Sequence, residues 1–119
     1  MLKSKIHRAR VTATQIHYEG SISIDNALME QAQILPYEKV EIYNINNGRR
    51  FSTYAIPAAP PSGEIQINGA AARLTQKDDL IIIASYVSVS NDELKQFKPR
   101  IIQVNPRNQA EPEMVVREI

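Results

Sequence analysis

Three short stretches carry residue types that could do chemistry together. The first is His17-Tyr18-Glu19-Gly20-Ser21, where a hydroxyl follows a glycine carbonyl. A Gly-Ser pair ordinarily marks a turn, because glycine accepts positive φ and serine offers a local hydrogen bond. Its chemical reading is different: Ser21 Oγ attacks the Gly20 carbonyl carbon, passes through a tetrahedral oxyanion and leaves an ester in place of the amide. Glycine at position 20 suits that step, since it leaves the attack path open and tolerates a strained backbone. The second stretch, Asn46-Asn47-Gly48-Arg49-Arg50-Phe51-Ser52-Thr53-Tyr54-Ala55-Ile56, offers a guanidinium fork and a phenol. Arg50 and Tyr54 stand four apart, so on a strand they share a face and Thr53 points the other way. The third, Ile67-Asn68-Gly69-Ala70-Ala71-Ala72, puts small residues after a turn signal, where backbone N–H groups at the start of a helical turn can meet an anion.

Positioning these groups falls to short strands. Lys5 to Ala13 alternates, with Lys5, His7, Ala9, Val11 and Ala13 on one face and Ile6, Arg8, Arg10 and Thr12 on the other. Ser21 to Ile24 reads as extended, and Asp25 as the N-cap of a brief helix through Ala32. Val40–Ile45 and Arg49–Ile56 flank Asn46-Asn47-Gly48, a hairpin signal because these residues tolerate the positive φ of a tight turn. Pro57-Ala58-Ala59-Pro60-Pro61 reads as an exposed loop of polyproline character. Glu64–Ile67 predicts another strand, Asn68-Gly69 a turn and Ala70–Leu74 a single helical turn. Leu80–Val89 is the most apolar run and predicts a central strand. Ser90 to Glu93 has capping-box spacing and opens a short helix, Arg100–Val104 makes a last strand, and the tail from Pro106 is expected to be loosely held. Such a pattern predicts one mainly β domain over 1–119, a small barrel with short connecting helices.

The bulk numbers narrow the classes. Fourteen basic and 13 acidic residues leave a net charge of +1, which gives no global field for nucleic acid or an anionic membrane. With no cysteine, thiolate metal sites, disulfides and cysteine catalysis are excluded. No apolar run near 18 residues and no signal-peptide pattern is seen, so a cytoplasmic location is expected. There is no glycine-rich phosphate loop, dinucleotide fingerprint or metal-ligand cluster.

From about Lys5 to Ser90, with HYEGS, the arginine-FSTYAI run and NGAAA in family order and spacing, the sequence resembles the pyruvoyl-dependent L-aspartate 1-decarboxylases. The resemblance implies a six-stranded double-psi β-barrel assembled as a homotetramer, with active sites between subunits. It implies self-cleavage at Gly20-Ser21 into chains 1–20 and 21–119, and a covalent pyruvoyl cofactor made from Ser21. It further implies conversion of L-aspartate to β-alanine and carbon dioxide, through a Schiff base with the substrate amine, for pantothenate and coenzyme A. Carried over residue by residue, Ser21 and Tyr54 are catalytic, Tyr54 as proton donor, and Gly20, Ser21 and Thr53 serve processing. Substrate binding falls to Arg50, which holds a carboxylate, and to Thr53, Asn68, Gly69, Ala70, Ala71, Lys5, His7 and Tyr18. His17 and Glu19 are taken as structural, and Arg49 as a solvent-exposed neighbour. Some members need a separate maturation protein, so a maturation factor is a further candidate partner. Two other readings stand beside this one: a non-enzymatic small-barrel binding module with Lys3, Lys5, Arg8 and Arg10 on a basic strand, and a pyruvoyl decarboxylase of another amino acid.

Overall fold

The computed structural model describes residues 1–110, and the end of the tail, 111–119, lies outside the described residues. Among the described residues eight strands run in chain order as β1 (Leu2–Arg10), β2 (Ala13–Gln15), β3 (Ser21–Asp25), β4 (Lys39–Asn44), β5 (Arg50–Ala58), β6 (Ile65–Asn68), β7 (Leu80–Tyr86) and β8 (Arg100–Gln103). They hydrogen-bond in the order β2-β6-β3-β5-β4-β7-β1-β8, so the expected mainly β architecture is present with eight strands where six were expected. Three of the pairings, β2 with β6, β3 with β5 and β1 with β8, are parallel, and the rest are antiparallel.

A single isoleucine-rich core explains why these stretches are strands. Ile6, Ile22, Ile24, Ile42, Ile65, Ile67, Ile81, Ile83 and Ile102 are all fully buried. Their branched side chains fit the pleat, and each contributes roughly 1.5–3 kcal/mol over the exposed state. Asp25 caps the helix α1 (Asn26–Ala32), its Oδ1 accepting from Ala27 N–H at 2.8 Å, as the sequence predicted. Its Oδ2 accepts from Gly63 N–H at 2.8 Å, which fastens the end of β3 to the loop before β6.

Several expectations are corrected. The alternation of β1 breaks at Arg8, whose φ of 66° marks a bulge and a register shift against β7, so Ile6 joins Ala9 and Val11 in the core. An inserted residue flips the faces after it. β5 continues through Pro57, which sits in register with Ile24 in the parallel ladder, so the proline loop begins two residues later than expected. β7 ends at Tyr86, short of Val89. The Ser90–Glu93 capping box forms, with Ser90 Oγ 2.9 Å from Glu93 Oε1, but only one 3-10 turn follows, Leu94–Gln96. The tail is held up to Ala110: Asn108 is buried, donates to Arg10 O and Gly63 O, and accepts from Arg10 N–H, each near 2.7–2.8 Å.

Candidate active site

The Gly20-Ser21 bond lies at the entry to β3, after the exposed turn 16–20 that follows β2. Ser21 itself is only 4% exposed. β3 is sandwiched between β6, antiparallel, and β5, parallel. The first of these ladders puts Asn68 opposite Ser21 and Gln66 opposite Ser23. Because side chains two apart on a strand share a face, the four polar residues form one patch while Ile22, Ile24, Ile65 and Ile67 fill the core behind it. Asn68 Nδ2 donates to Ser21 Oγ at 2.9 Å and to Ser23 Oγ at 3.2 Å, and Asn68 Oδ1 accepts from Gln66 Nε2 at 2.7 Å.

The second ladder brings the phenol. Ile22 pairs with Ala55, so one step earlier along the ladder Ser21 and Tyr54 are neighbours at its end. Tyr54 is partly exposed, and its ring centroid lies 6.5 Å from that of Tyr37. Ser21, Ser23, Asn68, Gln66, Tyr54 and Tyr18 line an open cleft of about 810 Å³. Its wall also includes His17, Glu19, Tyr37, Ile56 and Glu64. His17 and Glu19, read from the sequence as structural, therefore belong to the cleft surface.

Gly69 is placed against the junction rather than in the open cleft. Its φ is +78°, and a Cβ there would stand 2.8 Å from Gly20 Cα and 2.9 Å from Gly20 N. No side chain fits that gap, so the turn 68–69 and the Gly-Ser bond are packed backbone to backbone. Gly20, by contrast, has no positive φ, and a Cβ on it would meet nothing within 4 Å. Open space thus surrounds the Gly20 α-carbon, and its backbone lies outside the left-handed region. From Gly69 the chain forms a 3-10 turn to Leu74, with Ala70 exposed and Ala71 packed on the core edge.

Other residues named from the sequence lie elsewhere in the chain. Arg50, Ser52 and Tyr54 share the outward face of β5 and Thr53 faces the other way, opposite Val40. Arg50 is exposed and stacks its guanidinium 4.4 Å from the Tyr43 ring centroid, outside the cleft. Tyr43 Oη is 2.8 Å from Tyr86 Oη, and that bond, followed by burial, pushes the Tyr43 phenol up to about 12. It stays protonated across the neutral range. Lys5 is in register with Ala84, Ala84 with Glu41 and Glu41 with Ser52, which puts Lys5 in one row with the outward face of β5. Lys5, His7, Arg50, Thr53, Gly69, Ala70 and Ala71 thus do not line the cleft of their own chain.

Sequence reading missed Gln66 and Ser23. The signal was there in Ile22-Ser23-Ile24 and Ile65-Gln66-Ile67, where a polar residue between isoleucines must point away from the core. Among the described residues no group of three or more His, Cys, Asp or Glu is placed to hold a metal, and no helix is long and apolar enough to cross a membrane.

Comparison with known proteins agrees with the motifs. The aspartate 1-decarboxylase of Syntrophus aciditrophicus is 62% identical over 109 residues, covering 92% of this chain and 94% of that protein. That of Thermoanaerobacter pseudethanolicus is 57% identical, covering 91% and 92%, and that of Syntrophotalea carbinolica 55% identical, covering 91% and 82%. Among solved structures, a rationally designed DPBB protein superposes with a TM-score of 0.49 at 12% identity, covering 69% of this chain and 95% of that one. The model of the aspartate decarboxylase family matches residues 1–111, and the chain belongs to that family.

Proposed function

We propose that this chain is a self-processing L-aspartate 1-decarboxylase that cuts itself between Gly20 and Ser21 and forms β-alanine and carbon dioxide, the β-alanine serving pantothenate and coenzyme A synthesis in the cytoplasm. The observation that carries the reading is the buried Ser21 hydroxyl, held by Asn68 at the entry to β3 beside Tyr54 and open space at Gly20. The names of the relatives supply the substrate.

The site's residues fit a pyruvoyl group at position 21. Ser21, its precursor, lines the cleft at a chain break that would free its nitrogen, and the Asn68 amide is within hydrogen-bond reach of the atom to be transformed. When present, such a group supplies what no side chain offers, an electrophilic carbonyl that condenses with the substrate amine and accepts the electrons released by decarboxylation. Tyr54 gives its phenol proton to the carbon that loses carbon dioxide, from the end of the β3–β5 ladder. Asn68 holds polar atoms at position 21 through its N–H groups, and Gly69 keeps the turn close enough to do so. The processing role of Thr53 rests on the resemblance alone, because its side chain faces away from the cleft of its own chain.

Arg50 binds the substrate carboxylate with a bidentate fork. Because Arg50 and Lys5, on the outward face of β5 and β1, lie outside the lining of their own chain's cleft, the complete site forms when a second copy brings these residues to the cleft. This supports a tetramer with sites between subunits, and the backbone of Gly69, Ala70 and Ala71 completes the substrate surface. The test is product formation by the processed protein, followed by NMR with L-aspartate and L-glutamate in parallel. β-Alanine from aspartate with no product from glutamate is expected; preference for glutamate reassigns the substrate, and no product from either overturns the reading.

A further inference from the structure

Gln66 is a polar group of the junction that the mechanism above does not use. Gln66 projects into the cleft from β6, two residues before Asn68 and across the ladder from Ser23. Its Nε2 donates to Asn68 Oδ1 at 2.7 Å. An asparagine amide has an acceptor end and a donor end, and nothing in its shape says which end faces a given neighbour. In the structure the Gln66 donor occupies Oδ1, and both Asn68 N–H groups turn to the hydroxyls, one to Ser21 and one to Ser23. Asn68 is 3% exposed, so water does not compete freely for its orientation.

We infer that Gln66 is a positioning residue for self-cleavage, acting through Asn68 to fix how the Ser21 hydroxyl is presented; the inference rests on the proposed cleavage at Gly20-Ser21. In that step the bond from Oγ to the Gly20 carbonyl carbon forms, the bond from that carbon to the Ser21 nitrogen breaks, and the hydroxyl proton ends on that nitrogen. Oγ carries one proton and two lone pairs. An N–H from Asn68 takes one lone pair, so the proton points away from Asn68 and the second lone pair is left for the attack. With the amide reversed, Ser21 would donate its proton to Asn68 Oδ1, a carbonyl too weakly basic to remove it, and the proton would stay on the nucleophile.

Two variants read this directly in the full chain, with cleavage followed by intact mass after synthesis of the uncut form. Gln66→Met keeps length and removes the donor, and its expected cleavage is about fivefold slower with an unchanged melting temperature. Gln66→Glu replaces the donor by an acceptor, so Asn68 must turn its N–H groups towards the carboxylate. Its expected cleavage is about tenfold slower at about pH 8. Protonation restores a donor, so the ratio of Gln66→Glu to wild-type rate rises several-fold as pH falls towards about 5, where a partly buried carboxyl takes up a proton. His17, Tyr18, Glu19, Tyr37, Tyr54 and Glu64 also face the cleft and are common to both proteins, so the ratio isolates the introduced group. β2, on the other side of β6, brings no titratable residue. Gln66→Met cleaving within twofold of wild type overturns the inference, as does a ratio that stays flat with pH. The uncharged variant keeps the question open to refutation should Gln66→Glu misfold. A wild-type chain that never breaks at Gly20-Ser21 instead removes the reading on which the inference stands.

Discussion

The junction cleft and the outward face of β1, β7, β4 and β5 differ in how complete each is within one chain. At the cleft, Ser21, Ser23, Asn68 and Gln66 hydrogen-bond to one another at 2.7–3.2 Å, three of the four are nearly inaccessible, and Gly69 leaves no slack against Gly20. On the outward face Arg50 is exposed and stacks on Tyr43, and Lys5 shares the sheet row that ends at Ser52. The first region holds the residues of the proposed cleavage within one chain. The second carries Lys5, Glu41 and Arg50 on one face, with Glu41 accepting from Ser52 at 2.6 Å and the Arg50 guanidinium exposed, an arrangement compatible with the proposed contact to a substrate carboxylate brought by a second copy. The proposed cleavage therefore draws on the first region, and the proposed turnover on both.

Variants should separate the two regions in graded fashion. Ser21→Ala has the largest expected effect: the nucleophile and the precursor are lost together, so intact mass shows one uncut chain and no β-alanine forms. Tyr54→Phe keeps ring volume and removes the proton, so cleavage proceeds while kcat falls by about 100-fold or more. A Tyr54→Phe enzyme with wild-type kcat would leave the cleft intact but take the proton donor elsewhere. Arg50→Lys keeps the charge and loses the fork; cleavage is unchanged and KM for aspartate rises by about tenfold, read by steady-state kinetics. Should Arg50→Lys block cleavage instead, the division between the two regions fails.

The smallest effect concerns the frame that joins them. Glu38, just before β4, accepts from Lys3 of β1 at 2.7 Å, from Leu35 N–H at 3.1 Å and from the Ser85 hydroxyl of β7. Burial alone would raise its pKa, and these donors outweigh that and hold it below the ordinary 4.5. A carboxyl held low in the folded state stabilises fully above its unfolded value and loses that contribution as pH falls through the folded value. The melting-temperature gap between wild type and Glu38→Gln is therefore expected to be modest at neutral pH and to close below about pH 4. A gap that widens in acid would contradict the network.

Local signals in the sequence carried much of this. Asp25 before an apolar helix, Asn46-Asn47-Gly48 between alternating runs and Asn68-Gly69 ahead of small residues each specify a backbone conformation on their own, and the structure has a cap, a hairpin and a turn there. What alternation could not reveal was the bulge at Arg8, because an inserted residue leaves the residue types unchanged and shows only in pairing with β7. Pro57 was misread for a related reason: a parallel neighbour needs only some of its N–H groups, and which ones depends on register. At the site, the resemblance gave roles to Ser21, Tyr54 and Asn68, which the strands bring to one cleft, and equally to Arg50, Lys5 and His7, which they do not. That separation is a property of tertiary pairing that spacing along the chain does not encode.

The most direct test of the central claim is an intact mass spectrum of the purified protein under denaturing conditions, before and after gentle warming. The account predicts two species divided after Gly20, the larger lighter by one ammonia than a 21–119 chain beginning with serine. A single full-length mass that persists through warming and through addition of a maturation partner, or a break at any other bond, would contradict it.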